Sequence, residues 1–256
     1  MSFFYNSCSI SGRKSVRNED FILVPEIMKQ STEDDNNINS RDPLFILCDG
    51  IGGHNSGHIA SKMCAEMIAE NFYNSAAEIT DYKNWFSDIF SKVNQRILEL
   101  GKIAEDYQNM GTTVVSLVIK DNVAFAANIG DSRLYLAYQD RIIQITEDHS
   151  QVWKLYKAGR IRKNDLIRIP GKNIITKAIG IDADVEPDFY KFELPEKYII
   201  LMCSDGLTDV VIDTDIKTEI SRAENLEEII DNLYSLALHN RSNDDISMII
   251  VSNYLE

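Results

Sequence analysis

Three stretches of this 256-residue chain run apolar and then stop at an aspartate: LFILCDG at Asp49, AFAANIGDSR at Asp131 and YIILMCSDG at Asp205. A fourth, NDDISMIIV, reverses the order and starts an apolar run just after Asp244 and Asp245. Short β-rich runs of this kind read as buried strands, so each acid falls at a strand tip, where a sheet can gather carboxylates from distant sequence. Ionised carboxylates held close repel one another unless a cation neutralises them, and all-oxygen ligation selects Mg²⁺ or Mn²⁺ over zinc. Any one Asp-Gly pair also reads as a favoured turn. Several in one chain point to a site.

Composition narrows the partners. With 26 basic against 40 acidic side chains the net charge is −14, which argues against nucleic acid or an anionic membrane surface as the main partner. Any phosphate-binding site must therefore be local. The start MSFFYNSCSISGRK has no basic region leading into a long apolar stretch, and no later run approaches a membrane span. A cytoplasmic, monomeric protein without a membrane segment is the expectation. Cys8, Cys48, Cys64 and Cys203 lack paired metal-ligand spacing and read as reduced cysteines, Cys48 and Cys203 within apolar strand runs.

No repeat or hinge-like tract divides the chain, so residues 1–256 read as a single domain. Strands are expected at 21–25 and 44–48, separated by the polar stretch MKQSTEDDNNINSRD. Apolar residues at helical spacing follow in 56–72 and again from Trp85 to Leu100. The runs VVSLVI, VAFAAN, RLYLAY and RIIQI, punctuated by Asp121-Asn122 and Gln139-Asp140, predict one antiparallel meander. Residues 148–176 lack a clean period and predict a short helix followed by a long irregular excursion, of the kind that often carries function. Helices near 214–221 and 225–239 and a last strand at 246–251 complete a mixed α+β fold.

The ordered series RNED, CDGIGGHNSGHIAS, GTT, IGDSRLYL, TEDHS, ITKAIG, CSDGL and NDDIS resembles the metal-dependent serine/threonine protein phosphatases of type 2C in their compact bacterial form. The resemblance runs from about Asn18 to Val251. It implies a four-layer α-β-β-α sandwich of two antiparallel sheets flanked by helices, with a metal centre at one end. By this resemblance Asp49 bridges two Mn²⁺ or Mg²⁺ ions, the Gly50 carbonyl coordinates one of them, and Asp205 and Asp244 complete the other shell. Glu19 and Asp20 hold metal-bound waters. Asp131, with Asp205, serves a weaker third ion. Gly52 and Gly53 allow the backbone to turn tightly beneath the ions.

Phosphate monoesters demand such a site, because enzyme accelerations for their hydrolysis reach ~10²¹. Two cations ~3.5–4 Å apart lower the pKa of a shared water from 15.7 towards ~7 and neutralise phosphoryl oxygens during in-line attack. The nucleophile is then a metal-bound hydroxide, and the chain has no cysteine followed by five residues and an arginine that could form a phosphocysteine instead. The substrates implied are phosphorylated proteins, and a bacterial signalling setting opposite a serine/threonine kinase follows from the resemblance alone.

The chain departs from the family pattern at named positions. Ser15 stands where the family usually has a phosphate-gripping arginine, with Arg13 and Arg17 flanking it as candidates for that task. Ile51 replaces a histidine of animal members, Asp245 replaces an asparagine, and Lys177 stands where arginine is common. His54 is a candidate proton donor or water holder, whereas His149 reads as structural and His58 and His239 as helix residues. Ser204 has no spaced His/Asp partners that would make it a nucleophile. Two other readings stay open: a non-catalytic regulatory binding module on the same fold, and a two-metal phosphodiesterase or nuclease. The acid cluster argues against the first. The absence of a basic stripe argues against the second.

Overall fold

The computed structural model describes residues 3–13, 15, 17–25, 42–52, 56–75, 79–103 and 105–256. His54 and Gly53 lie outside the described residues, as does most of the polar stretch before Asp42. The strands are β1 (Phe4–Ile10), β2 (Asp20–Leu23), β3 (Leu44–Ile51), β4 (Gly111–Thr112), β5 (Val114–Lys120), β6 (Val123–Ile129), β7 (Arg133–Tyr138), β8 (Arg141–Gln144), β9 (Asp188–Glu193), β10 (Ile199–Cys203) and β11 (Ile246–Ser252). One sheet has the order β1-β11-β10-β7-β8. The other runs β2-β3-β5-β6-β9, with β4 paired to β3. All pairings are antiparallel.

Strand alternation explains the layers. In β3, Leu44, Ile46 and Cys48 face the helices α1 (Gly57–Asn74) and α2 (Tyr82–Ile103), while Phe45 and Leu47 face the opposite sheet. In β10, Ile199, Leu201 and Cys203 face the helices α5 (Asp213–Arg222) and α6 (Leu226–His239), while Ile200 and Met202 face inward. Covered on both faces, these strands read as unbroken apolar runs. The result is the four-layer sandwich that the resemblance implied.

The predicted meander is corrected. β5 and β6 form one hairpin, turning at Asp121 and Asn122 with φ of 48° and 64°, but β7 and β8 belong to the other sheet. The chain changes sheets at Gly130-Asp131-Ser132, where Gly130 has φ of 110° and a Cβ would stand 2.5 Å from the Thr113 side chain. Only glycine fits there. Equal spacing of short runs cannot distinguish a hairpin from a sheet-to-sheet crossing, and this crossing is what brings Asp131 to the end of the sandwich.

The excursion has structure of its own. The helix α3 (Gln151–Lys157) is capped by Ser150, whose hydroxyl accepts from Trp153 N, and a 3-10 turn follows at Lys163–Arg168. Val152, Trp153 and Leu166 form a small separate core. The helix α4 (Asp205–Thr208) begins at the end of β10. No helix among the described residues is long and apolar enough to cross a membrane.

Candidate metal centre

The inward face of β3 runs Phe45, Leu47 and then Asp49, so alternation aims this carboxylate between the sheets at their end. On β2 the same parity places Asp20 behind Ile22, and the register pairs Asp20 directly with Asp49. Like charges opposed across a strand pair destabilise it. From the other sheet come Asp205, at the first residue of α4, and Asp244, two residues before β11. Asp131 arrives on the crossing between sheets. Asp20 and Asp131 are buried, Asp49 and Asp205 half-buried, and Asp244 exposed at the rim.

The acids perturb one another. Burial pushes Asp49 well above the usual carboxylate range, and the charges of Asp20, Asp205, Asp131 and Asp244 push it further. Asp205 is raised by burial and then by Asp131, Asp209, Asp244 and Asp20. Asp20 rises to about 8, chiefly by burial, with the nearby Ser247 and Ser204 side chains opposing the shift. Asp131 rises to about 7 through burial and the charges of Asp148 and Asp209, with Arg133 opposing. Glu19 and Asp244 are raised too, burial again leading. Such acids cannot all ionise together unless a cation joins them.

The donor set fits a hard divalent ion. Among the described residues Glu19 Oε1, Asp20 Oδ2 and Asp131 Oδ1 are buried with no hydrogen-bond partner, and oxygens in that state want either protons or a cation. No three His, Cys, Asp or Glu side chains among the described residues could close on one ion by themselves. Mg²⁺-like ions keep several waters and take one or two carboxylates.

Main-chain contacts fix Asp49. Thr112 Oγ1 and Thr113 N both donate to the Asp49 carbonyl at 2.8 Å, and Asp49 N donates to Thr113 Oγ1 at 3.1 Å. Thr113 Oγ1 also lies 2.7 Å from Ser132 Oγ, beside Asp131. The GTT motif thus has a mechanical purpose that its composition alone does not reveal.

Several residues singled out in the sequence lie away from the acids or differ from expectation. The chain turns at Arg13, where Ser15 N donates to Gly12 O at 3.2 Å. The Ser15 hydroxyl faces Arg17 O at 2.7 Å and Asp245 Oδ2 at 3.2 Å. Both arginines are exposed. Lys177 donates to Glu186 O and pairs with Asp188 at 3.5 Å. His149 is built into the fold, its Nδ1 accepting from Gly130 N at 2.9 Å and its Nε2 lying 3.3 Å from Asp188. The Ser204 hydroxyl accepts from Ser247 N and donates to Asp245 O. The excursion reaches the acids: its Lys172 binds Asp209 through both the carboxylate and the carbonyl at 2.8 Å, beside a cavity of about 20 Å³ lined by Asp131, Asp205 and Asp209.

Sequence similarity agrees with this geometry. The family model of protein phosphatase 2C matches residues 5–165, and that of Stage II sporulation protein E matches 162–253. The serine/threonine phosphatase stp of Listeria innocua is 32% identical over 217 residues, covering 84% of this chain and 86% of its own. A solved serine/threonine phosphatase of S. agalactiae superposes with a TM-score of 0.86 at 32% identity, covering 100% of both chains. The catalytic domain of the phosphatase PstP, solved with 2 manganese ions, superposes with a TM-score of 0.80 at 26% identity and 97% coverage of each chain. The chain belongs to the protein phosphatase 2C family. It is a protein serine/threonine phosphatase, and metal dependence is characteristic of its family.

Proposed function

We propose that the chain is one catalytic domain that hydrolyses phosphoserine and phosphothreonine in proteins at two tightly held Mn²⁺ or Mg²⁺ ions. The observation that carries this is the convergence of Asp20, Asp49, Asp205 and Asp244 from two sheets, with pKa values raised by burial and by neighbouring carboxylates and with Lys172 opposing the shift at Asp244. Asp49 and the Gly50 carbonyl, with Asp205 and Asp244, are the ligands in this reading. When bound, the ions acidify a water and neutralise phosphoryl charge. The remaining work falls to the chain: Glu19 Oε1 and Asp20 Oδ2 accept hydrogens from waters at the site and so orient them. Asp131 Oδ1, with Asp205 and the small cavity between them, suits a weaker third ion.

Arg13 is the phosphate-binding candidate, with Arg17 as its alternate. The excursion at 148–176 serves as a flap that selects protein substrates, since its Lys172 touches Asp209 one helical turn beyond Asp205. A cytoplasmic monomer acting opposite a protein kinase is the setting this reading favours. Purified protein is expected to hydrolyse phosphothreonine peptides and p-nitrophenyl phosphate with Mn²⁺ and to stop with chelator. Shortening the flap is expected to slow the peptide far more than the small ester, which needs few remote contacts. Turnover indifferent to metal would overturn the reading, and equal losses on both substrates would remove the flap from it.

A further inference from the structure

The acids of the metal centre belong to two sheets, and the main chain of Glu19 is held by both. On one side Glu19 N donates to Asp245 Oδ2 at 2.7 Å, and Asp245 immediately precedes β11. On the other side Glu19 O accepts from Gly50 N on β3 at 3.0 Å and from Ser61 Oγ on α1 at 2.6 Å. Asp245 is 4% exposed, and its Oδ1 accepts a second main-chain bond, from Gly12 N at 2.7 Å. Gly12 is pressed so close that a Cβ there would stand 2.4 Å from Asn243 O. The rest of Asp245 grips its own sheet. Its N donates to Asp244 Oδ1 at 2.9 Å, and its carbonyl accepts from Ser204 Oγ, the neighbour of Asp205.

Short bonds from N–H groups to a buried carboxylate are of the strong, charge-assisted kind. They act where carboxylate repulsion would push the two sheet ends apart. Two ions can share a water only at ~3.5–4 Å, and a misplacement of about 1 Å costs on the order of 10²-fold in rate.

We propose that Asp245 is a positioning residue that sets the separation of the two metal positions by clamping Glu19 between the sheets. This rests on the two-ion reading above. The test is made on protein loaded with two equivalents of Mn²⁺, by electron paramagnetic resonance and calorimetry rather than turnover. Wild type is expected to give the spin-coupled spectrum of a close Mn²⁺ pair. In Asp245→Ala that spectrum gives way to isolated six-line signals, and the second equivalent binds at least about tenfold more weakly, the scale seen when orienting partners of metal ligands are lost. Asp245→Asn retains one acceptor oxygen and falls between the two, and Ser15→Ala, which loses the 3.2 Å bond to Asp245 and the bond to Arg17 O but leaves both main-chain bonds of the clamp in place, stays within about twofold of wild type.

A coupled spectrum and wild-type affinity in Asp245→Ala overturn the assignment. So does an equal loss in Asp245→Ala and Asp245→Asn, which would mark a through-space charge effect rather than a clamp. Should Asp245→Ala not fold by circular dichroism, Asp245→Asn decides alone, and a spectrum identical to wild type overturns the clamp. A wild type that shows no coupled pair refutes the two-ion reading itself and takes the clamp with it.

Discussion

Asp131 and Asp148 are equally buried, each 6% exposed, and they line the same small cavity, yet they are opposite cases. Asp148 receives Arg133 through Nε at 2.9 and 3.1 Å and through Nη2 at 2.6 Å, and Gln144 Nε2 at 2.8 Å. Arg133 in turn donates to Tyr135 Oη, which reaches Asp213, itself paired with Lys163. Among the described residues Asp131 has no such partner for its Oδ1, and it is raised to about 7. A buried acid that carries its own arginine belongs to the scaffold. One with an oxygen left unpaired marks a place where the fold tolerates repulsion, which is what the ion-binding role proposed for Asp131 requires.

The contrast is broken or kept by two substitutions with the largest expected effects. Asp49→Asn is expected to cost roughly 10³-fold in turnover, ~4 kcal/mol of transition-state stabilisation, while leaving metal-free thermal stability unchanged or higher, because it relieves repulsion. Arg133→Met is expected to do the reverse, destabilising the fold by about 3–5 kcal/mol because a buried carboxylate loses its partner. Turnover and thermal melts on both variants decide this. A metal-free Asp49→Asn protein that melts well below wild type would place Asp49 with the scaffold.

A second test uses pH. Asp20 and Asp131 have folded values of about 8 and about 7 against an ordinary 3.8. Between the ordinary and the raised values the folded state binds more protons than the unfolded one, so their contribution to metal-free stability falls as pH rises from about 4 to about 8. Metal competes with those protons. The increase in Tm on adding Mn²⁺ is therefore expected to be larger at about pH 8 than at about pH 5.5. A metal-induced shift that shrinks as pH rises would contradict the raised values.

The acids could be read from sequence because their placement is local: an apolar run ends, alternation continues, and the next inward position is a carboxylate. Most strands were legible from their apolar runs, and the two pairs of helices from apolar residues at helical spacing. β1 and β9 were not. Both are edge strands of mixed, half-buried composition, FYNSCSI and DFYKFE, whose pairing comes from β11 and β6 rather than from their own pattern. Pairs distant in sequence were equally hidden: Asp245 with Gly12 spans 233 residues, and neither residue announces the other. The same holds for Arg133 and Asp148, two motif residues whose bond no spacing reveals.

Asp131→Ala should show a smaller effect than Asp49→Asn, since in the proposed site it serves the weaker third ion. The Mn²⁺ concentration needed for full rate is expected to rise about tenfold, with the two tight equivalents unchanged by calorimetry. Loss of a tight equivalent would instead place Asp131 among the principal ligands.

The smallest expected effect concerns the cations outside the acid cluster. Arg13 sits on the Gly12–Ser15 turn, which Asp245 anchors through Gly12 N, so its base is fixed beside the acids although its side chain is exposed. Arg17 is also exposed, and its carbonyl is held by Ser15. A phosphate dianion approaching so many carboxylates gains from a cation besides the metals, and a guanidinium fork can bind two phosphate oxygens at once. Arg13→Ala is expected to raise KM for p-nitrophenyl phosphate about fivefold, ~1 kcal/mol at 1.36 kcal/mol per factor of ten, with kcat and Mn²⁺ binding unchanged. Arg13→Lys should recover little of that loss, because an ammonium is a point charge without the fork. Full recovery by lysine would mean that Arg13 supplies only charge. Wild-type kinetics in Arg13→Ala would shift the assignment to Arg17, and wild-type kinetics in the double Arg13→Ala/Arg17→Ala variant would leave phosphate recognition to the metal centre itself.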